Sequence, residues 1–232
     1  MGKRGVKGGQ PLRARATANG FQAPVKLPKA TLRRCKPVFE TFRERRTTRD
    51  ISDKALSLQT LANLLWAAFG VNRQKGPFGL KGRTAASASN SQEIDVYVAL
   101  STATYRYDAF AHALLPIISG DLRPSAISRG QSTLPYGAAA RLIYVANVAR
   151  LTHTEGFAEP GLKDPAVRKS YYYVDTGLIA ANVYLFAAST GLAAWFHNCD
   201  RATLTKKLGL RRNQRALFAQ TVGHRQRKGR TV

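Results

Sequence analysis

Residues 43–50 read RERRTTRD: four arginines, two threonines and two acids in one short stretch. Guanidinium forks beside hydroxyls are the donor set a phosphate needs, and they are equally the make-up of a solvated charge run. Arg45, Arg46, Thr47 and Arg49 could wrap a phosphomonoester, which carries roughly −1.5 to −2 charges at neutral pH. A second stretch, SASNSQ over residues 87–92, offers small side chains, amides and backbone N–H groups able to approach a flat polar ring. A Ser/Asn loop is more often only a turn. The third stretch is the basic tail after TVGH. No GxxxxGK[ST], GxGxxG or GxSxG signature occurs, and no Cys–His pair sits in a catalytic context. An enzyme built on this sequence would borrow its reactive group from a cofactor.

The chain has 232 residues and a formal charge of +24, with 44% hydrophobic residues. That composition suits a folded domain with a real core. The charge is uneven. Residues 1–49 hold 14 basic residues against 2 acids, residues 50–200 hold 13 against 11, and residues 201–232 hold 10 and no acid. This is the pattern of an ordinary domain with basic extensions, which are candidates for polyanion binding. Cys35 and Cys199 are too few for a disulfide framework, and free thiols or one bridge both fit. The four histidines lack metal-ligand spacing. There is no apolar run long enough to span a membrane and no apolar leader near the start, which points to the cytoplasm.

Several elements must position the candidate groups. KPVFETFRERR suits a short helix with Pro37 in its first turn and Phe39 and Phe42 on one face. SLQTLANLLWAAFG is the clearest helix, capped by Ser57 and ended by Gly70. EIDVYVAL alternates as a half-buried strand, TYRYDAFAHAL supplies a second strand and a turn, and RLIYVANV reads as a central strand. PAVRKSYYYVDTGLIAANVYLFAASTG is a long helix, apolar nearly all round from Val174 and therefore buried, with Gly191 closing it. LAAWFH, RATLTKKLGL and ALFAQTV complete the set as strand, helix and strand. Strands and helices mix without a βαβ rhythm, so the fold class is α+β.

Taken in order, RRTTRD, LSLQTLANLLWAAFGVNR, GRTAASASNSQEIDVYV, YRYDAFAHAL, DTGLIAANVYLFAASTGLAAW and QTVGH resemble the nitroreductase family. The likeness is nearest to the compact branch related to the thiazole/oxazole peptide dehydrogenases. It covers residues 37–225, leaving 1–36 as a basic extended arm and 226–232 as a basic C-terminal tail. The resemblance implies a central, mostly antiparallel sheet flanked by helices, in an intertwined homodimer with FMN at the subunit interface. It also implies hydride transfer from NAD(P)H to a small organic acceptor, nitroaromatic or quinone, by ping-pong kinetics with no catalytic side chain.

Carried over residue by residue, the phosphate-binding element of the family falls on Arg45, Arg46, Thr47 and Arg49. The loop against the isoalloxazine falls on Ser87, Ala88, Ser89, Asn90 and Gln92, with Ala86 where the family has proline. The segment near the reactive flavin nitrogen falls on Trp195, Phe196, His197 and Asn198, whose bulk would narrow a substrate pocket. The late basic residue falls on Arg225. Three other readings compete: a nucleic-acid-associated protein acting through its basic ends, a relative that has kept the fold without the flavin, and a peptide-modifying dehydrogenase working beside partner subunits.

Overall fold

The structure is a computed structural model that describes residues 23–31, 35–132, 138–154 and 163–226. Strand β1 (Val25–Lys26) is followed by helices α1 (Val38–Glu44) and α2 (Leu58–Phe69). Next come a small hairpin of β2 (Val71–Arg73) and β3 (Gly82–Arg83) and the strands β4 (Ile94–Ala99), β5 (Ala103–Asp108) and β6 (Ala113–Ser119). Then follow the single-turn α3 (Arg129–Ser132), β7 (Ala140–Asn147) and the short α4 (Val148–Thr152). The long α5 (Pro165–Thr190), β8 (Ala193–His197), α6 (Arg201–Lys207) and β9 (Gln214–Gly223) close the chain.

Seven strands form one sheet in the order β1-β6-β5-β4-β7-β9-β8, and every pairing in it is antiparallel. The arm expected over 1–36 therefore contributes an edge strand, with Val25 opposite Leu114. Of the basic residues at the two ends, Lys3, Arg4, Lys7, Arg13, Arg15, Arg33, Arg34, Arg227, Lys228 and Arg230 lie outside the described residues.

Both faces of the sheet are covered. Ile94, Val96 and Val98 pack with α2 and α5, while Tyr97 and Ala99 pack with Leu204 of α6. This corrects the half-buried reading of EIDVYVAL: all six residues of β4 are buried. Alternation there separates two apolar layers rather than core from water.

Helix starts and stops follow the capping residues. Ser57 Oγ accepts the Thr60 N–H at 3.2 Å at the head of α2. Asp164 accepts the Ala166 N–H at 2.8 Å ahead of Pro165, and Gly191 ends α5 in the left-handed region at φ 76°. α5 departs from the expected all-round burial. Asp175, Ile179, Val183 and Phe186 face the core, but Tyr171, Val174, Leu178, Ala181 and Leu185 form a stripe the chain does not bury. Their 3-4-3-4 spacing is that of a helix-packing seam. Beside it, α1 leaves Val38, Phe39 and Phe42 uncovered, with Phe39 83% exposed.

Candidate functional site

Thr48 N–H donates to the Ala194 carbonyl at 2.9 Å, which lays residues 45–49 along the free edge of β8. Ser52 N–H then donates to the His224 carbonyl at 2.8 Å and Gln226 N–H to the Asp50 carbonyl at 2.9 Å, with a bridge between Ile51 and Arg225. RRTTRD and GHRQ are thus joined main chain to main chain, with Arg225 opposite Ile51, two residues from Arg49. Gly223 permits this approach, since a Cβ there would stand 2.7 Å from the Ile51 side chain.

Two of the guanidinium groups are stacked on aromatic rings. Arg45 lies over the Tyr184 ring at 5.5 Å and Arg49 over the Trp195 ring at 5.4 Å. Thr47 Oγ1 shares a hydrogen bond of 3.1 Å with the Tyr184 hydroxyl, which also accepts the Phe196 N–H at 2.8 Å. Arg45, Arg46, Arg49 and Arg225 are exposed, and among the described residues none of them forms an ion pair. Guanidiniums that form no ion pair among the described residues are free to take an anion such as a phosphate. Tyr184 was not legible as part of this cluster, because its two partners are far away in sequence. Tyr184→Phe leaves the Phe196 N–H without its acceptor, and stability falls by about 1–2 kcal/mol. Thermal unfolding would then drop by about 2–8 °C in a chain of this size.

The loop over 87–92 has a different character. Ser89, Asn90 and Gln92 sit in the left-handed region at φ 47°, 53° and 50°. Such residues cost roughly 1–2 kcal/mol each, so the surroundings must hold the loop. Ser87 Oγ accepts the Gln92 N–H at 3.0 Å, and Asp175 Oδ2 accepts the Ala88 N–H at 2.9 Å. Asn90 Nδ2 donates to the Pro77 carbonyl at 3.1 Å.

Gln92 is buried, and its amide is fully occupied. It accepts from Arg83 Nε at 2.6 Å and donates to the Lys81 carbonyl at 2.7 Å and to Asn90 Oδ1 at 3.0 Å. Its side chain therefore braces the loop instead of reaching outward. Arg83, which the sequence did not single out, is stacked between Phe69 at 4.8 Å and Phe110 at 4.6 Å. Burial first of all lowers its pKa to about 10. It remains a cation at neutral pH.

The His197 side chain is turned inward, which leaves only its backbone facing the site. Its Nδ1–H donates to the Asn198 carbonyl at 2.8 Å and Nε2 takes the Thr221 hydroxyl at 2.8 Å. Burial lowers its pKa to about 4, so the ring is neutral and offers no spare nitrogen. Asn198 is exposed. The bulk of this segment is likewise spent inside: Trp195 is buried, and Phe196 packs on Tyr144 and Phe218. None of the expected site residues lines the apolar cavity of about 380 Å³ between α1, α2 and α5, which is walled by Val38, Trp66, Asn182 and Leu185.

The two halves of the site meet α5 at different places. Asp175 holds the loop and Tyr184 holds the basic cluster, nine residues apart. On an α-helix that is about 13.5 Å along the axis and about half a turn around it. The uncovered stripe lies between these two flanks.

Fold and site together define a protein with an α+β sheet core, an unpaired arginine cluster and a strained loop across a helix. The sequence profile described as "Nitroreductase family" matches residues 42–224. The chain belongs to the nitroreductase family, a family of oxidoreductases. A protein of Methanocaldococcus jannaschii named as a nitroreductase is 28% identical over 156 residues, covering 64% of this chain and 72% of that one. A crystal structure from Ralstonia eutropha described as a nitroreductase is 31% identical with a TM-score of 0.74, covering 94% of this chain and 97% of that one. The E. coli microcin synthetase complex shares the fold at 19% identity and a TM-score of 0.63, covering 78% of this chain and 68% of that one. No helix among the described residues is long and apolar enough to cross a membrane.

Proposed function

We propose that the chain is an FMN-dependent oxidoreductase that takes reducing equivalents from NADH or NADPH and passes them to a small organic acceptor of nitroaromatic or quinone type. The observation that carries this reading is the cluster of Arg45, Arg46, Arg49 and Arg225 without a single ion-pair partner among the described residues. A phosphomonoester is the group whose charge and acceptor geometry such a cluster complements. Bound FMN supplies the redox chemistry, accepting two electrons from one substrate and giving them to the next.

The chain's own residues bind and orient. Arg45, Arg46, Thr47, Arg49 and Arg225 hold the phosphate. Ser87, Ala88, Ser89 and Asn90 present backbone and small side chains to the ring system, and Gln92 and Arg83 keep that loop in its strained shape. Asn198 and the backbone around His197 border the ring from the end of β8. No side chain acts as nucleophile or acid.

The working unit is a homodimer. The uncovered stripe on α5 and the exposed Phe39 and Phe42 of α1 supply an apolar face for a second copy. Packing along that face sets the arginine cluster of one subunit toward the loop of the other, across the helix that separates them within one chain. The compact-branch likeness and a fold shared with an NADPH:FMN oxidoreductase from Vibrio harveyi, at 18% identity and a TM-score of 0.55 over 82% of this chain and 69% of that one, are in keeping with this reading. Anaerobic mixing of the FMN-loaded protein with NADH and with NADPH tests it. Bleaching of the flavin band before any acceptor is added, and parallel lines in double-reciprocal plots, are the expected results. A flavin that stays oxidised with both nucleotides contradicts the assigned reaction.

A further inference from the structure

The loop at 87–92 holds three non-glycine residues in the left-handed region and so depends on what grips it from behind. Two of the grips are carboxyls. Asp175 on α5 accepts the Ala88 N–H at 2.9 Å, and Glu93, at the foot of β4, accepts the Ser91 hydroxyl at 2.7 Å. Glu93 is 0% and Asp175 3% exposed, and the two carboxyls lie close enough for each to act on the other's proton. Two such carboxyls can bond to each other only through a proton, because two carboxylates hold only acceptors. Glu93 Oε1 is buried and has no donor among the described residues.

We propose that Glu93 and Asp175 are positioning residues that share one proton and thereby clamp the loop Ser87–Gln92 to α5 in the shape that receives the flavin ring. The effect on flavin rests on the FMN reading above, whereas the shared proton does not.

The surroundings give the pair no counter-charge. Arg150 on α4 reaches only the Glu93 main-chain carbonyl, at 3.0 Å, and spends its charge on Asp95 at 2.8 Å. Arg106 on β5 also faces Asp95, and Arg83 on β3 is committed to Gln92. Among the described residues neither Glu93 nor Asp175 is in an ion pair. Burial, and then the neighbouring Asp175 carboxyl, pushes Glu93 up to about 7, and burial raises Asp175 as well. The clamp therefore opens near neutral pH. Glu93 binds its proton more tightly folded than unfolded, where its ordinary value is 4.5. The stabilisation is complete below 4.5, declines as pH rises, and is gone above about 7. Once the proton leaves, two adjoining negative charges repel behind the loop they both hold.

The test compares the FMN-loaded wild type with Glu93→Gln, whose amide supplies a permanent donor to Asp175 and still accepts from Ser91. FMN affinity is titrated by flavin fluorescence from pH 6 to pH 9. The phosphate's own ionisation is common to both proteins and cancels. In the wild type affinity falls about tenfold or more across the range. In Glu93→Gln it stays level, so the variant binds FMN more tightly than the wild type at the alkaline end. A residue of purely structural importance would not produce that crossover. Equal pH profiles in the two proteins, or loss of FMN at every pH from a folded Glu93→Gln chain, overturns the proposal. Should the wild type bind no FMN at any pH, the flavin reading fails, and the shared proton is then judged from the melting temperature alone. Between pH 5 and pH 8 the wild type must lose several degrees relative to Glu93→Gln, and a constant difference overturns the shared proton.

Discussion

Leu178→Glu separates the protein into monomers and removes bound FMN in the same step. Leu178 is 41% and Val174 59% exposed within one chain, so a polar residue at 178 leaves the subunit's own core unchanged. In a two-fold interface each subunit contributes the new charge, and an uncompensated buried charge costs about 3–5 kcal/mol. Two of them raise the dimer dissociation constant roughly 10⁴-fold or more. Sedimentation velocity gives the subunit state, circular dichroism confirms a folded chain, and the flavin absorbance of the separated species reports the cofactor. A Leu178→Glu protein that remains dimeric would contradict the assigned interface. Monomers that keep full FMN would contradict a site divided between two subunits.

Arg45→Ala combined with Arg49→Ala weakens FMN binding by roughly 100-fold or more while leaving riboflavin binding nearly untouched. Each charge-assisted hydrogen bond to the phosphate is worth about 1.5–3 kcal/mol, and the partly solvated setting favours the lower end. Two at that end make about 3 kcal/mol, a little over two powers of ten. The loss of the ring contacts with Tyr184 and Trp195 costs the fold only about 0.5–1 kcal/mol each. Calorimetric titration with both flavins separates the two contributions. An equal loss for FMN and riboflavin would place the arginines elsewhere than at the phosphate.

What the sequence could reveal depended on how locally each feature is encoded. α2 and α5 were legible because their caps and stops, Ser57, Pro165 and Gly191, lie in the same short stretches as their apolar repeats. The four arginines and the loop at 87–92 were legible as chemistry for a like reason. The misread features belong to tertiary structure. Whether β4 is buried on one face or two depends on α6, more than a hundred residues later. The inward turn of the His197 ring was not legible because nothing nearby announces Thr221, which comes from the neighbouring strand and occupies it. Tyr184, Arg83 and the Glu93–Asp175 pair were invisible because their roles come from partners brought together only by the fold. The apolar surplus of α5 was countable in the sequence, and part of it, at Tyr171, Val174 and Leu178, stays exposed in the single chain.

The most direct test of the central claim is an absorbance spectrum of the purified protein, followed by heat release and identification of any chromophore. The account predicts a yellow protein carrying one FMN per subunit, released as intact FMN with its phosphate. A colourless protein that also takes up no added FMN would contradict the oxidoreductase assignment.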